Sequence, residues 1–372
     1  MNKILAICTS PDRGGLELYF TKFVEHYHRK QNSTSLHTVV RKNSYINQVL
    51  KRFGNSSRQK EISKISIINL IFYAIYLAKY VNNHKIDFIH MSWRKDLLLS
   101  VLIKIFARKK VHIIYYRQMK LSREKKGIYH KFIYKNIRII LTITENLKNE
   151  CNNFLPVSNH VIKKLPYGIE EYQKSQTPVM NKEELCKDFD WNLNSFTIGV
   201  FSRLEEQKGQ HLVVKAIKEL ALLDINLGII GHCMDKKYKK RLTEEINSYN
   251  LTSKVRFENF VEQPMRIMPG FDLIILPTYE ETFGLVAAEA MLMGVPVIGS
   301  NAGGIPEIIK DNVNGLLFET KNSNSLKQKI SMMINSLELR QKLSNNAKIF
   351  IREHYNYDKH FDSFDSFLNE LL

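Results

Sequence analysis

Apolar segments of strand length alternate with amphipathic helical segments along most of the chain. The first pair is Lys3–Cys8, a buried-strand pattern, and Leu16 to His28, whose large side chains recur at helical spacing. A second alternating series begins at Ser195–Phe201. Alternation of this kind predicts parallel α/β sheets, and two such series predict two Rossmann-like domains.

The alternation also predicts where the domains divide. We expect an N-terminal domain over residues 1–170, a polar linker over 171–194 with a short helix near Lys182–Phe189, and a C-terminal domain over 195–350. The last segment, 351–372, reads as a helix with an apolar face that packs back on the N-terminal domain. The basic stretch Lys42 to Lys64 reads as a loop.

Composition and charge narrow the class of protein. The 44% apolar and 25% charged residues are typical of a soluble globular chain, and four scattered cysteines fit a reducing compartment. Residues 1–170 carry 31 Lys and Arg against 10 Asp and Glu, whereas 171–372 carry 24 against 27. This asymmetry predicts an anionic partner for the first half: a membrane surface, a phosphorylated acceptor or nucleic acid.

Membrane insertion is not predicted. The apolar run Ile4–Cys8 is too short for a secretory signal, and Ile65–Ala78 falls short of the ~18 residues that a span needs. A buried or interfacial helix is the expectation for the second stretch. We expect a cytoplasmic protein.

The stretch from Pro277 to Gly294 holds the strongest chemical signal. Glu281 follows an apolar strand, Gly284 precedes a run of small and apolar residues, and Glu289 lies inside that run, which predicts a buried helix. The N-terminus of such a helix can hold an anion between the two carboxylates. An activated sugar offers a matching order of groups, namely sugar hydroxyls, diphosphate and ribose hydroxyls; a loop Glu and a salt-bridged helix Glu explain the spacing equally well.

A second loop carries two cations at the carboxyl end of a strand. Arg203 and Lys208 lie between Phe201 and Gly209, where they could hold a diphosphate or pair internally with neighbouring glutamates. Gly14 and Gly15 follow the first strand and could approach a phosphate, although a plain tight turn needs the same residues.

Together these segments resemble the retaining glycosyltransferases of family 4 (glycosyl transferases group 1), which have the GT-B fold. The resemblance covers nearly the whole chain and is strongest in Phe201–Gly209, Pro277–Gly294 and Ser300–Ile309. It implies an α/β protein of two Rossmann-like domains facing each other across a cleft. It implies a hexosyltransferase that takes a hexose from a nucleotide-diphosphate sugar and needs neither metal nor cofactor.

The resemblance also assigns roles to residues. Arg203 and Lys208 would clamp the donor diphosphate, Glu281 would face the donor sugar, and Glu289 would bind the ribose hydroxyls. Backbone around Phe283, Gly284 and Leu285 would hold sugar and phosphates, and Gly14 and Gly15 would approach the donor from the other domain.

The acceptor side departs from the family's pattern. Arg117 stands where many members have His, and it could bind an acceptor phosphate or carboxylate, or be a surface arginine. His90 ends a strand at a plausible cleft position, and a satisfied structural histidine is the alternative interpretation. The basic first half suggests an anionic or lipid-linked acceptor of the bacterial cell envelope, such as a lipopolysaccharide core, an O-antigen or a capsule precursor, with the enzyme on the inner face of the membrane.

Three other classes remain as alternatives. A nucleotide-sugar epimerase or a sugar phosphorylase shares the layout, and a basic nucleic-acid-binding protein is a remote alternative that needs neither the interior carboxylates nor the glycine loops. A dinucleotide-dependent oxidoreductase is disfavoured because no Gly-x-Gly-x-x-Gly follows the first strand.

Overall fold

The computed structural model describes residues 2–30, 34–52, 58–172 and 178–372. They form two compact units, one of Met1–Pro166 with Asp362–Leu372 and one of Tyr167–Phe361. We call these unit 1 and unit 2. Each unit has its own parallel sheet, as the alternating pattern predicts.

Unit 1 is built on seven described strands in the order β3-β2-β1-β4-β5-β6-β7, all parallel. Its elements are β1 (Asn2–Cys8), α1 (Gly15–Arg29), β2 (Thr34–Arg41), α2 (Tyr45–Arg52), β3 (Gln59–Ile62), α3 (Ile67–His84), β4 (Phe88–Met91), α4 (Leu97–Phe106), β5 (His112–Arg117), α5 (Ile128–Tyr134), β6 (Ile137–Thr142), α6 (Glu145–Phe154) and β7 (Ile162–Lys164). The central strands are buried on both faces, which explains their continuous apolar sequences.

The loop predicted for Lys42 to Lys64 is wrong in its described part. It contains α2 and the edge strand β3, and residues 53–57 lie outside the described residues. Ile46 and Leu50 bury one face of α2, while β3 buries only Ile62 and pairs with β2. An edge strand with one covered face tolerates a polar sequence, so its composition resembled that of a loop.

Unit 2 has six described parallel strands in the order β10-β9-β8-β11-β12-β13. Its elements are α7 (Lys182–Phe189), β8 (Phe196–Phe201), α8 (Gln210–Glu219), β9 (Ile225–Ile230), α9 (Lys236–Ser248), β10 (Val255–Glu258), α10 (Pro264–Ile267), β11 (Leu273–Leu276), α11 (Leu285–Leu292), β12 (Val297–Ser300), α12 (Ile305–Ile308), β13 (Leu316–Phe318), α13 (Ser323–Asn335), α14 (Leu337–His354) and α15 (Tyr357–Leu371). The short helix predicted near Lys182–Phe189 is α7, and it begins with a capping box of Asn181 and Glu184.

The last helix, α15, begins in unit 2 and ends in unit 1. In the part of α15 that belongs to unit 1, Phe364 and Leu368 are completely buried. The ring of Phe364 meets Phe23 edge-on with 5.2 Å between centroids and His90 at the same separation. The C-terminal residues therefore complete the core of unit 1.

Candidate functional site

The loops at the carboxyl edge of the unit 2 sheet bring the predicted donor residues together. Strand β11 pairs with β8 on one side and with β12 on the other. The loop after β8 carries Arg203 and Lys208, and the loop after β11 carries Glu281. Because adjacent parallel strands end at the same edge, the two loops are neighbours, and this edge is where α/β sheets bind ligands.

Lys208 and Glu281 form an ion pair in this structure. The Lys208 Nζ lies 2.8 Å from Glu281 Oε2, and the two side chains are only 18% and 28% exposed. The other carboxylate oxygen of Glu281 accepts a hydrogen bond from the Thr282 N–H at 3.1 Å. Arg203 pairs with Glu205 at 2.9 Å and is about half exposed. One predicted cation thus contacts the predicted sugar-facing carboxylate directly.

Close backbone contacts hold the two loops against each other. The Tyr279 N–H donates to the Gln207 carbonyl at 2.8 Å, and the Thr278 hydroxyl donates to the same oxygen at 3.2 Å. Gly209 has φ of 69°, and a Cβ there would stand 2.1 Å from the Pro277 carbonyl oxygen. Only glycine permits both this conformation and this approach.

A third loop, between β12 and α12, fixes the backbone of Glu281. The Gly304 N–H donates to the Glu281 carbonyl at 2.8 Å. Gly303 has φ of 55°, and a Cβ there would stand 1.9 Å from the same oxygen. The glycine pair in Ser300–Ile309 therefore sets the position of the Glu281 backbone, a role that the sequence motif alone did not reveal.

The start of α11 has the form of an anion site. Gly284, with φ of 103°, is the N-cap; its carbonyl accepts from the Ala287 N–H at 3.0 Å, but it offers no side-chain acceptor to the N–H groups of Leu285 and Val286. Phe283 is buried, and its ring meets those of Tyr167 and Tyr355 edge-on. Leu285, the first helical residue, is partly buried.

Glu289 lies in α11 five residues after Gly284. The prediction of a buried helix holds for Ala287, Ala288 and Ala290, but Glu289 itself is partly exposed. Its carboxylate therefore lies on the one side of α11 that reaches solvent, where a ligand hydroxyl could meet it.

A partly buried hydrogen-bond chain, which the sequence did not predict, connects both loops to α8. The Tyr279 hydroxyl lies 2.6 Å from His211 Nε2, and His211 Nδ1 lies 3.1 Å from the Tyr238 hydroxyl. That hydroxyl donates to Gln210, whose amide donates to the Arg203 carbonyl at 2.8 Å. Burial, and then Lys215, lower the pKa of His211, so the imidazole stays neutral. No sequence spacing relates these residues.

In unit 1, the carboxyl edge near the glycine pair is rich in buried carboxylates. The Thr9 N–H donates to Asp96 at 2.9 Å, and the Ser10 hydroxyl donates to Glu17. Burial raises the pKa of Asp96 to about 7, although the hydrogen bonds from Thr9 act to lower that pKa. Gly14 is the extended N-cap of α1, and a Cβ there would be 3.3 Å from Glu17; Gly15 is exposed.

Both acceptor-side candidates are buried in unit 1. The His90 ring is fully buried and stacks on Phe23 with 4.3 Å between centroids. Arg117 is 3% exposed and donates to the Tyr115 hydroxyl at 2.7 Å and to the Lys120 carbonyl at 3.1 Å. In this structure neither side chain is presented to solvent.

Neither a metal-binding cluster nor a membrane-spanning helix is found among the described residues. In the part of the chain that the structure describes, no group of three or more His, Cys, Asp or Glu is arranged for a metal ion. Among the described helices, none combines the length and apolar character needed to cross a membrane.

The comparisons with known proteins identify the fold. The chain superposes on a glycosyltransferase from Rickettsia africae with a TM-score of 0.85 at 19% identity, covering 100% of this chain and 98% of that one. It also superposes on HepE of Anabaena in complex with UDP and glucose, with a TM-score of 0.85, 19% identity and full coverage of both chains. These neighbours are GT-B glycosyltransferases, so the predicted α/β fold class of two Rossmann-like sheets is confirmed.

The sequence comparisons support a glycosyltransferase. Residues 181–350 match the family model described as Glycosyl transferases group 1. The chain is 33% identical to an uncharacterized glycosyltransferase of Methanocaldococcus jannaschii (MJ1178) over 52% of this chain and 54% of that protein. It is 22% identical to the capsular polysaccharide biosynthesis glycosyltransferase CapM of Staphylococcus aureus over 74% of each chain. The alignments with the two first relatives span 54% and 56% of those proteins' lengths, about half of each.

Proposed function

We propose that this protein is a retaining glycosyltransferase of family 4. It would move a hexose from a nucleotide-diphosphate sugar to a hydroxyl of a cell-envelope glycan or lipid-linked acceptor. The observation that carries the proposal is the Lys208–Glu281 pair at 2.8 Å, on adjacent loops at the carboxyl edge of the sheet and next to the uncapped start of α11. All of these residues lie within the segment that matches the group 1 family model.

The donor diphosphate would lie against Arg203, Lys208 and the first turn of α11. Arg203 is half exposed and held only by a surface pair with Glu205, so a phosphate can replace that partner at little cost. Lys208 would exchange part of its contact with Glu281 for a phosphate oxygen. Glu289 would accept hydrogen bonds from the ribose hydroxyls, as the resemblance to family 4 implies.

The chemistry follows from this placement. The acceptor oxygen forms a bond to the anomeric carbon while the bond from that carbon to the phosphate oxygen breaks and leaves its electron pair on the nucleoside diphosphate. The acceptor proton passes to the departing phosphate on the same face, which retains the anomeric configuration. The two cations and the α11 N-terminus would stabilise the departing charge, so the proposed reaction uses no metal and no cofactor.

The acceptor and the place of action are proposed from the charge and from the named relatives. The basic residues are concentrated in the first 170 positions. One relative is named for capsular polysaccharide biosynthesis, and one structural neighbour is a lipopolysaccharide outer core galactosyltransferase with a TM-score of 0.77 at 14% identity. We therefore propose a cytoplasmic enzyme that acts at the inner face of the bacterial cytoplasmic membrane.

Thermal unfolding with UDP, GDP and ADP tests the donor site. A nucleotide that binds only the folded chain raises the melting temperature by linkage. We expect one of the three to stabilise the wild type and to stabilise Glu289→Ala much less. Glu353→Ala, another exposed helix glutamate of unit 2, serves as the matched control and keeps the full shift.

The outcomes separate the proposal from its alternatives. No shift with any nucleotide would refute the donor site. Turnover of the corresponding nucleotide sugar to an epimer, or phosphorolysis of a glycan, would point to an epimerase or a phosphorylase on the same fold. Binding to oligonucleotides that falls steeply with salt and ignores Glu281→Gln would point to a nucleic-acid-binding protein.

A further inference from the structure

One side of α3 leaves large apolar side chains exposed. Ile67 and Ile68 are 91% and 93% exposed, Phe72 is 68% exposed, and Ile71, Ile75 and Tyr76 follow on the same side. These six residues, which we call the α3 stripe, recur at intervals of one and four residues, as one helix face requires. The opposite face buries Ala74, Leu77, Ala78 and Val81.

The stripe belongs to a layer of helices. Helix α3 packs on α4, and α4 packs on α5. Helix α5 also exposes apolar residues at its start, with Ile128 89% and Tyr129 54% exposed. Because crossover helices run antiparallel to their strands, the starts of α3 and α5 lie at the same edge of the sheet, its carboxyl edge. The apolar residues of both helices therefore point to one edge of one layer.

The charge around this layer is mainly positive. No Asp or Glu occurs in residues 62–86, 97–123 or 125–144, which include the whole of α3, α4 and α5. Lys64 precedes the stripe and the exposed Lys79 follows it. The loop before α5 carries Arg123, Lys125 and Lys126 and one carboxylate, Glu124, which pairs with Lys126 at 3.1 Å. Burial, and then Arg123 and Arg94, lower the pKa of Lys125, which indicates a positive potential at that loop.

We propose that the α3–α5 layer docks on an anionic lipid bilayer and that the α3 stripe inserts into the boundary between headgroups and acyl chains. A helix with exposed isoleucines and a phenylalanine, flanked by lysines and free of carboxylates, meets both parts of such an interface. A second copy of the chain does not fit, because two mainly basic surfaces would bring like charges together. A nucleic acid does not fit either, because phosphodiesters offer nothing to exposed isoleucines.

The inference rests on the proposed membrane location and not on the proposed chemistry. It also differs from purely electrostatic attachment, since apolar insertion survives salt that screens exposed charges. Flotation of the protein with vesicles distinguishes failure of the docking proposal from failure of the donor-site proposal, because vesicle binding is measured without donor or acceptor. A failed nucleotide shift with intact flotation would refute the donor site alone.

The test uses vesicles of phosphatidylglycerol mixed with phosphatidylcholine, and of phosphatidylcholine alone. We expect the wild type to float with the anionic vesicles and to retain part of that binding in high salt. The double variant Ile68→Glu/Phe72→Glu should bind at least about tenfold more weakly. Leu222→Glu/Leu337→Glu, which changes two exposed leucines of unit 2, is the matched control and should bind as the wild type does.

Other outcomes would overturn the proposal. These are the absence of wild-type binding to anionic vesicles, equal binding by the double variant, or equal loss in the control. Lipid-free self-association of the wild type that the double variant abolishes would assign the stripe to a second copy instead. Circular dichroism should show both double variants folded, because every changed side chain is exposed.

A second variant tests insertion without adding charge, so its result does not depend on whether the double glutamate variant folds. Phe72→Trp keeps the stripe apolar and adds a fluorophore to a chain that has two tryptophans. We expect its emission to shift to the blue on addition of anionic vesicles and to be quenched by brominated lipids. A Phe72→Trp emission that anionic vesicles leave unchanged would place the stripe outside the bilayer and refute insertion.

Discussion

At the scale of single residues, the donor site depends on positions where a side chain would be in the way. Gly209 and Gly303 let two loops approach the Pro277–Glu281 backbone to hydrogen-bond distance. The side chains of Lys208 and Glu281 then meet because the backbone beneath them is fixed from both sides. The relative position of Lys208 and Glu281 thus depends on glycines that contribute no side chain to the site.

Two glycines with similar conformations allow the steric cost of a side chain at Gly209 to be separated from the cost of its positive φ. Gly209 and Gly294 have φ of 69° and 79°, but a Cβ at Gly209 would collide with the Pro277 carbonyl, whereas a Cβ at Gly294 meets nothing within 4 Å. We expect Gly294→Ala to lower the free energy of unfolding by about 1 kcal/mol, from backbone strain alone. Gly209→Ala should cost at least about 2 kcal/mol more, because a backbone must move. Urea unfolding measures both, and equal losses would contradict the steric role of Gly209.

Because Lys208 and Glu281 form an ion pair, removing the Glu281 charge should affect nucleotide binding and nucleotide-sugar turnover in opposite directions. Glu281→Gln leaves Lys208 without its carboxylate, so a nucleoside diphosphate should bind as tightly as before or more tightly. Turnover of the nucleotide sugar should fall about a hundredfold or more, because the carboxylate that we propose to face the sugar is gone. Titration calorimetry and nucleoside diphosphate release measure the two. Weaker nucleotide binding in Glu281→Gln would contradict the arrangement.

At the scale of elements, the sequence predicted those whose burial leaves a periodic pattern. The central strands, α7 and α15 were predictable because their apolar residues recur at a fixed spacing. Helix α2 and strand β3 were not, because each buries two or fewer large side chains and the rest of their sequence is polar. Of the candidate site, the position of Arg203, Lys208 and Glu281 in loops that follow adjacent strands was predictable; their roles stay a prediction. The bond between Tyr279 and His211 was not, because nothing in one sequence relates residues 68 positions apart.

The final helix offers a test of what its apolar face does. Phe364 is fully buried among Phe23, Tyr27 and His90, whereas Phe367, three residues on, is only partly buried. We expect Phe364→Ala to lower the free energy of unfolding of unit 1 by about 3–5 kcal/mol, and Phe367→Ala to cost about half of that or less. Chemical denaturation of the full chain, followed by far-UV circular dichroism, gives the comparison. Equal losses would mean that the helix is held by other contacts.

At the scale of the whole molecule, folding stability should depend on pH through a buried histidine. His37 is 5% exposed, with its Nδ1 2.7 Å from the Tyr80 hydroxyl. Burial, and then nearby His84 and Arg58, lower the pKa of His37 from 6.5 to about 4. Below pH 6.5 the unfolded chain binds a proton that the folded chain refuses until about pH 4, so this contribution to stability is lost as the pH falls through that window.

The variant His37→Phe isolates this effect. Between pH 7 and pH 5 the wild type should lose about 2 kcal/mol more stability than the variant does. Asp96, whose pKa is raised to about 7, acts in the opposite direction, but it is present in both proteins and cancels from the difference. Urea midpoints across that pH range provide the measurement. Parallel pH curves for the two proteins would show that His37 titrates normally in the folded state.

The discontinuity of unit 1 has a consequence for the order of events during synthesis. Its sheet is translated by residue 166, yet the helix that covers Phe23 and His90 is translated only from residue 362 onward. At roughly 5–20 residues per second, the first unit waits on the ribosome for on the order of 10–40 s with an apolar surface uncovered. Unit 2 has no such delay, so the segment translated second can finish folding first, and the nascent chain should need a chaperone until residues 362–372 emerge.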